Sequence, residues 1–87
     1  MNLNTHGTVI GINPKTSRIA VQLHDGDISV MDVDDLSDFA INHVLYGTLD
    51  EETEQVITNK TMDTKHEVTI EATGCNLKTA RYLLFLK

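Results

Sequence analysis

The sequence has a single cysteine, Cys75, so it cannot form a disulfide within the chain, which agrees with a reducing compartment. It contains one proline, no tryptophan and no apolar run near the ~20 residues that a membrane-spanning helix needs. The N-terminal residues have neither a basic start nor an apolar stretch, so we predict no secretory signal. Together these absences predict a cytoplasmic protein with no membrane partner.

Basic and aromatic residues are also scarce. The chain carries seven Lys and Arg against thirteen Asp and Glu, for a net charge of −6, and it has two Tyr and two Phe. Because a protein of this charge repels polyanions and has few rings for base stacking, the composition argues against nucleic acid as a partner. Apolar residues make up 40% of the 87 residues, which is enough for one modest core. We therefore predict a single domain over residues 1–87.

Sequence patterns for metal binding and catalysis are missing as well. The four histidines are far apart, and no second cysteine completes a zinc tetrad. The acidic run at residues 32–38 does not match a calcium loop, because Leu36 stands at the third ligand position. Cys75 precedes a predicted helix, a place that can lower the pKa of a thiol, but no histidine lies near it in sequence, and we interpret it as a packing residue. The sequence predicts no enzyme, no catalytic residue, no cofactor and no metal.

Three strands with their turns are apparent in the first third of the chain. Their apolar residues alternate within residues 7–12, 19–23 and 28–33. The Asn13-Pro14 pair predicts the end of the first strand at about Ile12, because proline favours a turn and donates no ladder hydrogen bond. The Asp25-Gly26 pair predicts a two-residue type I′ turn, in which both residues have positive φ.

That turn determines the expected register of the second hairpin. It sets Leu23 opposite Ile28 and Val21 opposite Val30, so that these apolar side chains share the inner face. In this register Ile19, the next inward residue of the second strand, would lie opposite Asp32. We therefore expect a β-bulge or a strand end near Met31.

A short helix is predicted after the third strand. Asp34 and Asp35 precede residues at spacings of three and four between Leu36 and Val44, so one stripe can face the core while the aspartates cap the N-terminus. Residues 44–49 then favour a short strand or the end of this helix.

Two further strands are predicted before the C-terminal segment. The charged residues 50–54 indicate an exposed loop, and the β-branched residues at 55–58 indicate a weak strand after it. Val68, Ile70 and Ala72 alternate with polar residues, which predicts a half-buried strand that ends at about residue 74.

The last predicted element is a helix from residue 76 onwards. Leu77, Ala80 and Leu84 have helical spacing and define the expected packed stripe. Further apolar residues lie around the rest of the helix, namely Tyr82, Leu83, Phe85 and Leu86. Either the helix packs deeply and closes one end of the fold, or it presents apolar surface to a partner, because small monomers seldom leave such a patch in water.

These elements predict a mainly β, α+β fold: a small antiparallel β-barrel of five to six strands, OB-like or SH3-like, with a short helix after strand 3 and a C-terminal helix. The first half resembles the cold-shock and S1-type OB-fold domains. The resemblance rests on Gly7-x-Val9, Asn13-Pro14, Ile19-Ala20-Val21, Asp25-Gly26, Ile28-x-Val30 and Asp35-Leu36-Ser37. Cold-shock domains bind single strands through aromatic residues. The matching positions here are Gly11, Ile12, Ile19 and Val21, so the resemblance implies a barrel without that stacking platform.

We therefore expect a non-enzymatic interaction module that presents a strand edge or its C-terminal helix to another protein or to itself, as a homodimer or higher oligomer. The candidate protein contacts are Tyr82, Phe85 and Leu86. The alternative is an OB-like protein that binds nucleic acid or a small ligand, for which the candidate contacts are Lys15, Arg18 and Tyr46. An exposed apolar strip on an acidic surface favours the first hypothesis, and one concentrated basic groove favours the second.

Overall fold

Six antiparallel strands close into a barrel in the structure, a computed structural model that describes residues 5–85. The strands are β1 (Thr5–Asn13), β2 (Arg18–Leu23), β3 (Ile28–Val33), β4 (Val44–Gly47), β5 (Glu54–Asn59) and β6 (Thr64–Cys75). A 3-10 helix (Leu36–Asp38) follows β3, and α1 (Leu77–Phe85) follows β6. The predicted small antiparallel barrel, with a short helix after the third strand and a C-terminal helix, is confirmed.

The strand order around the barrel is β1-β2-β3-β6-β5-β4. It consists of two three-stranded meanders, β1–β2–β3 and β4–β5–β6, which are joined by the β1–β4 and β3–β6 pairs. The barrel has one strand more than the five of an OB-fold. Within the described residues every strand has a neighbour on both sides, so closure leaves no free edge.

The loop between β2 and β3 is longer than the sequence predicts. The Leu23 N–H donates to the Asp27 carbonyl at 2.7 Å, and the Gly26 N–H donates to the Leu23 carbonyl at 2.9 Å. Gly26 has a φ of +97°, whereas Asp25 does not have a positive φ. The loop therefore contains three residues that begin at His24, and glycine supplies its left-handed position. The predicted two-residue type I′ turn is wrong.

The extra loop residue shifts the β2–β3 register by one. Val21 pairs with Ser29 and not with Val30. Because successive side chains of a strand point to opposite faces, a shift of one residue exchanges the two faces of β3. Leu23 consequently lies in the barrel interior while Ile28 lies outside, so the shared inner face predicted for these two residues is wrong.

The irregularity predicted near Met31 occurs on the other side of β3. Met31 pairs with Ile19 across β2 and both side chains are fully buried inside the barrel, without a register shift in that pair of strands. The shifts lie instead between β3 and β6, at Ile28/Val30 and at Val30/Met31. The extra residues are on β6, which advances from Cys75 to Ile70 while β3 advances only from Ile28 to Met31. These bulges change the face of β6, so that Ile70 lies inside the barrel whereas Ala72 packs against the outer cluster.

The hydrophobic residues form two clusters on opposite sides of the sheet. The interior cluster contains Val9, Ile19, Val21, Leu23, Met31, Val33, Phe39, Leu45, Leu49, Ile57, Val68 and Ile70. The second cluster lies between the outer face of β1–β3 and α1 and contains Ala20, Ile28, Val30, Cys75, Ala80 and Leu84. The helix therefore covers the side of the barrel and acts as a second layer over three strands.

The helix after β3 is shorter than predicted, and α1 buries a different set of residues from the one predicted. Asp35 caps the 3-10 helix, as expected, by accepting from the Ser37 N–H at 3.0 Å, but Phe39 is already extended, with φ −120°. The helical stripe expected up to Val44 is therefore wrong. In α1, Leu77 is 59% exposed, so its predicted place in the packed stripe is wrong as well.

The strands predicted in the second half are present. Residues 44–49 contribute β4, the weak strand at 55–58 is part of β5, and the half-buried strand is the twelve-residue β6. None of the helices in the described part of the chain is long and apolar enough to cross a membrane.

Candidate interaction surfaces

The outer face of α1 is the side of the helix turned away from the barrel, and it consists of Leu77, Lys78, Arg81, Tyr82 and Phe85. Three of these are large hydrophobic residues that expose 59% (Leu77), 67% (Tyr82) and 61% (Phe85) of their surface. The other two are exposed cations, and α1 contains no acidic residue. In a chain of net charge −6, this face combines positive charge with exposed apolar side chains.

The barrel holds the end of α1 in place through side chains near the β1–β2 turn. Asn13 is buried and donates from Nδ2 to the Leu84 carbonyl at 3.0 Å, and the Thr16 hydroxyl donates to the same carbonyl at 3.3 Å. Arg18 donates from Nη1 to the Leu83 carbonyl at 2.8 Å. These bonds satisfy carbonyls that the end of a helix leaves without partners.

The position of Gly11 also brings the helix close to the barrel. A Cβ atom at this residue would lie 3.0 Å from Cδ2 of Leu84, which is tighter than an ordinary van der Waals contact. The absence of a side chain at Gly11 therefore lets α1 pack directly against β1.

Two of the candidate protein contacts lie on α1, and one candidate ligand contact, Lys15, lies beside them. Tyr82 and Phe85 lie on the outer face of α1, whereas Leu86 lies outside the described residues. Lys15 is exposed beside Phe85, because both residues line one shallow hollow at the end of the helix.

Arg18 and Tyr46, both candidate ligand contacts, are not neighbours. Arg18 pairs with Asn13 at one end of β1, and Tyr46 pairs with His6 at the other, so seven residues, or about 23 Å of strand, separate them. Arg18 Nε also lies 2.7 Å from Asp32 Oδ1. The three residues Lys15, Arg18 and Tyr46 therefore do not form one basic groove.

A second surface, the acidic groove, runs along the outer side of β3, β6 and β5. It is a shallow depression of about 460 Å³. Four carboxylates and an exposed valine define it: Asp32, Asp34, Glu54, Glu67 and Val56. Glu71 lies next to it, and a hydrogen bond with Asp32 raises the pKa of the Glu71 carboxyl, with burial and the charge of Asp32 adding to the effect. Negative charge is thus concentrated on this side of the barrel.

A row of stacked rings crosses the outside of the barrel at the other end. The ring centroids of His24 and His6 are 4.9 Å apart, and those of His6 and Tyr46 are 5.7 Å apart, with interplanar angles of 22° and 28°. Lys60 Nζ lies 5.9 Å from the centroid of the Tyr46 ring. The rings stack mainly on one another, which stabilises the strand pairs beneath them.

Sequence reasoning missed this row because its members come from separate segments. His6 is in β1, His24 follows β2, and Tyr46 is in β4. Only the pairing of β1 with β4, which closes the barrel, makes His6 and Tyr46 neighbours. No local sequence pattern encodes that pairing.

Polar groups inside the barrel have structural partners. His66 is buried, and its Nε2 lies 2.8 Å from the Thr64 hydroxyl. Its two ring nitrogens lie 3.5 Å from an oxygen of Asp34 and 3.6 Å from an oxygen of Asp38. In the part of the chain that the structure describes, no group of three or more His, Cys, Asp or Glu residues is placed to hold a metal ion.

Cys75 is buried in the cluster beneath α1, as expected for a packing residue. Burial, together with the nearby charges of Glu52 and Asp27, raises the pKa of its thiol. Burial and these charges therefore outweigh the lowering that a place before a helix can produce. The Cys75 thiol is expected to stay protonated at neutral pH, which does not suit a nucleophile.

The geometry defines a closed six-stranded barrel whose outer surface carries a cationic and apolar helix face, an acidic groove and a row of stacked rings. In comparisons with known proteins, the chain matches no family model, no curated protein and no solved structure. These three surfaces are therefore the features of the described residues that bear on its function.

Proposed function

We propose that this protein is a non-enzymatic interaction module of the cytosol that self-associates through the outer face of α1. The observation that carries the proposal is the exposure of Leu77, Tyr82 and Phe85 beside Lys78 and Arg81. Apolar side chains exposed together on one helix face are a frequent feature of protein contact sites, and aromatic residues are enriched there.

The charge distribution supports a second copy of the chain as the partner. All thirteen acidic residues of the protein precede residue 77, whereas residues 77–87 contain three basic residues and no acidic one. The outer face of α1 therefore complements the acidic barrel of another copy, which is present at the same concentration. Complementary charges of this kind guide encounter and orientation more than they add affinity.

The alternative of association by strand addition has no support in the fold. Strand addition needs an exposed sheet edge, and the barrel is closed over the described residues. Of the two modes that the sequence predicts, a strand edge or the C-terminal helix, the helix is the one that this geometry favours.

The expected association is weak and depends on concentration and salt. A helix of nine residues is about 14 Å long, so the contact it makes is at the small end of specific interfaces. Screening of Lys78 and Arg81 by salt should reduce it further.

Sedimentation velocity over a range of concentrations, at low and at high salt, tests the proposal. We expect the average mass of the wild type to rise above the monomer at high concentration and low salt. The Tyr82→Ser/Phe85→Ser variant should remain monomeric, while the control variant Ile41→Ser/Met62→Ser, which removes two exposed apolar residues elsewhere, should behave as the wild type. A wild type that stays monomeric under all conditions would refute the proposal.

A second candidate function is the binding of single-stranded nucleic acid or a small ligand at the row of stacked rings. The observation in its favour is that Lys60 supplies a cation next to Tyr46 and two histidines. Rings with adjacent cations are the usual elements of single-strand binding.

The net charge of −6 opposes binding of a polyanion, so the row must provide the whole attraction. Fluorescence anisotropy with labelled oligo-dT and oligo-rU at low salt tests this candidate. Binding by the wild type that is lost in Tyr46→Ala/Lys60→Glu would support it, and the absence of binding would exclude it for these ligands. Unaltered binding in Lys15→Glu/Arg18→Glu would show that the other candidate residues are not involved.

A further inference from the structure

We propose that the acidic groove of one copy receives the outer face of α1 from a second copy. This inference rests on the proposed function and adds to it the receiving surface. The groove combines four carboxylates with an exposed apolar residue, Val56, which is 59% exposed. The outer face of α1 combines two cations with three exposed apolar residues. The two surfaces thus carry opposite charges, and both contain exposed apolar side chains.

The spacing of the charges agrees with such a contact. In the β5–β6 pair, Glu54 lies opposite Thr69 and Val56 lies opposite Glu67. Glu54 and Glu67 are therefore diagonal neighbours, about 7–8 Å apart. Lys78 and Arg81 are one helical turn apart, with Cβ atoms about 5–6 Å apart, and their long side chains can cover the difference.

Val56 distinguishes the groove from the acidic loops between β2 and β3 and between β4 and β5. It is a large exposed hydrophobic residue with a carboxylate directly opposite on β6, at Glu67, and another two residues before it, at Glu54. The exposed residues of the β2–β3 loop, in contrast, are polar or glycine, and Leu49 in the β4–β5 loop is fully buried. An aromatic residue of α1 has an apolar contact in the groove and not at those loops.

The two surfaces are formed by different residues, although both involve β3 and β6. α1 packs mainly over β1, β2 and β3, with weaker contact to β6, whereas the groove is lined by residues of β3, β6 and β5. One copy can therefore present its helix to a neighbour and receive another helix at the same time. Two copies that do both with each other form a two-fold dimer, whereas contacts with different neighbours form a ring or a chain.

A mixing experiment with two charge variants tests the inference. The helix variant is Lys78→Glu/Arg81→Glu, and the groove variant is Glu54→Lys/Glu67→Lys. We expect the dissociation constant of each variant alone to rise at least about tenfold above that of the wild type. Mixing equal amounts places the native helix of the groove variant against the native groove of the helix variant, so association should return.

Three controls keep the result interpretable. Circular dichroism checks that every variant is folded, and the milder Glu54→Gln/Glu67→Gln variant replaces the groove variant if lysine disrupts the barrel. The Asp25→Lys/Asp27→Lys variant changes two acidic residues away from the groove and should associate as the wild type does.

The possible outcomes separate this inference from the proposed function. If the wild type and the groove variants associate equally while the helix variant is monomeric, the helix is the contact but the groove does not receive it, and the inference is wrong. Failure of the mixture to associate, when the wild type does, refutes it as well. A wild type that is monomeric throughout refutes both proposals.

Discussion

Replacement of Asn59 tests whether its side chain stabilises the loops at one end of the barrel. The Asn59 side chain is fully buried at the end of β5. Its Nδ2 donates to the Asp38 carbonyl at 2.9 Å and lies 3.1 Å from His43 Nδ1, and its Oδ1 accepts from the Met62 N–H at 3.1 Å. One side chain therefore joins the 3-10 helix, the segment before β4 and the β5–β6 turn.

The Asn59→Leu variant keeps the volume of the side chain but removes these bonds. At about 1 kcal/mol for each of the three bonds, we expect a loss of ~3 kcal/mol in the free energy of unfolding. For a domain of this size that corresponds to a decrease in Tm of about 12–24 °C. The loss is a large fraction of the 5–15 kcal/mol that is typical of the total stability of a domain.

Urea denaturation followed by circular dichroism measures the effect, with Thr58→Val as the control. Thr58 is the neighbouring residue on β5 and is only half-buried, so its replacement should change the free energy of unfolding by less than about 0.5 kcal/mol. A loss below about 1 kcal/mol for Asn59→Leu, with an unchanged slope of the denaturation curve, would show that the hydrogen bonds of Asn59 do not hold the loops.

Three other predictions concern single residues. Glu71→Gln should raise Tm at neutral pH, because the raised pKa of Glu71 means that ionisation of its carboxyl favours the unfolded state. The gain in Tm should disappear as the pH falls below the ordinary carboxyl range, and an equal gain at all pH values would show that ionisation of Glu71 is not its cause. Cys75 should react with a thiol reagent slowly in the native protein and rapidly after unfolding, and equal rates would show that it is not protected. Gly7→Ala should lower the free energy of unfolding by about 1–3 kcal/mol in urea denaturation, because the new Cβ would lie 2.7 Å from Cγ1 of Val21 and 2.8 Å from a backbone oxygen. A free energy of unfolding equal to that of the wild type would mean that β1 and β2 can move apart at this position without loss of stability.

The barrel and its helices were predictable from local patterns, but the register of β3 was not. The Asp25-Gly26 pair is compatible with a two-residue turn or with a three-residue loop in which only the glycine is left-handed. Hydrophobic alternation normally decides between the two registers. In β3 it cannot, because α1 covers the outer face and apolar residues such as Val30 and Met31 therefore occupy both faces.

The same difficulty affected α1. Its apolar residues surround most of the helix, so the spacing of Leu77, Ala80 and Leu84 could not show which face is buried. The barrel contacts Ala80 and Leu84 and leaves Leu77 exposed. Tyr82 and Phe85, the two candidate contacts within the described residues, do lie on the exposed side, and their role in binding remains a prediction.

The acidic groove and the row of rings depend on pairings between distant segments. Glu54 and Glu67 are diagonal neighbours only through the β5–β6 register, and His6 and Tyr46 are neighbours only through the β1–β4 pair. A single sequence contains no signal for such pairings when several registers satisfy the same apolar pattern.

The bonds from Asn13, Thr16 and Arg18 to the last carbonyls of α1 have a consequence for affinity. A helix whose end frays in the free protein must lose conformational freedom when it binds, and that loss subtracts from the binding free energy. Here the barrel has already ordered the backbone that bears Phe85 and Tyr82. A partner therefore contacts aromatic side chains whose backbone is ordered before binding, and preorganisation of this kind allows even a small contact to be specific.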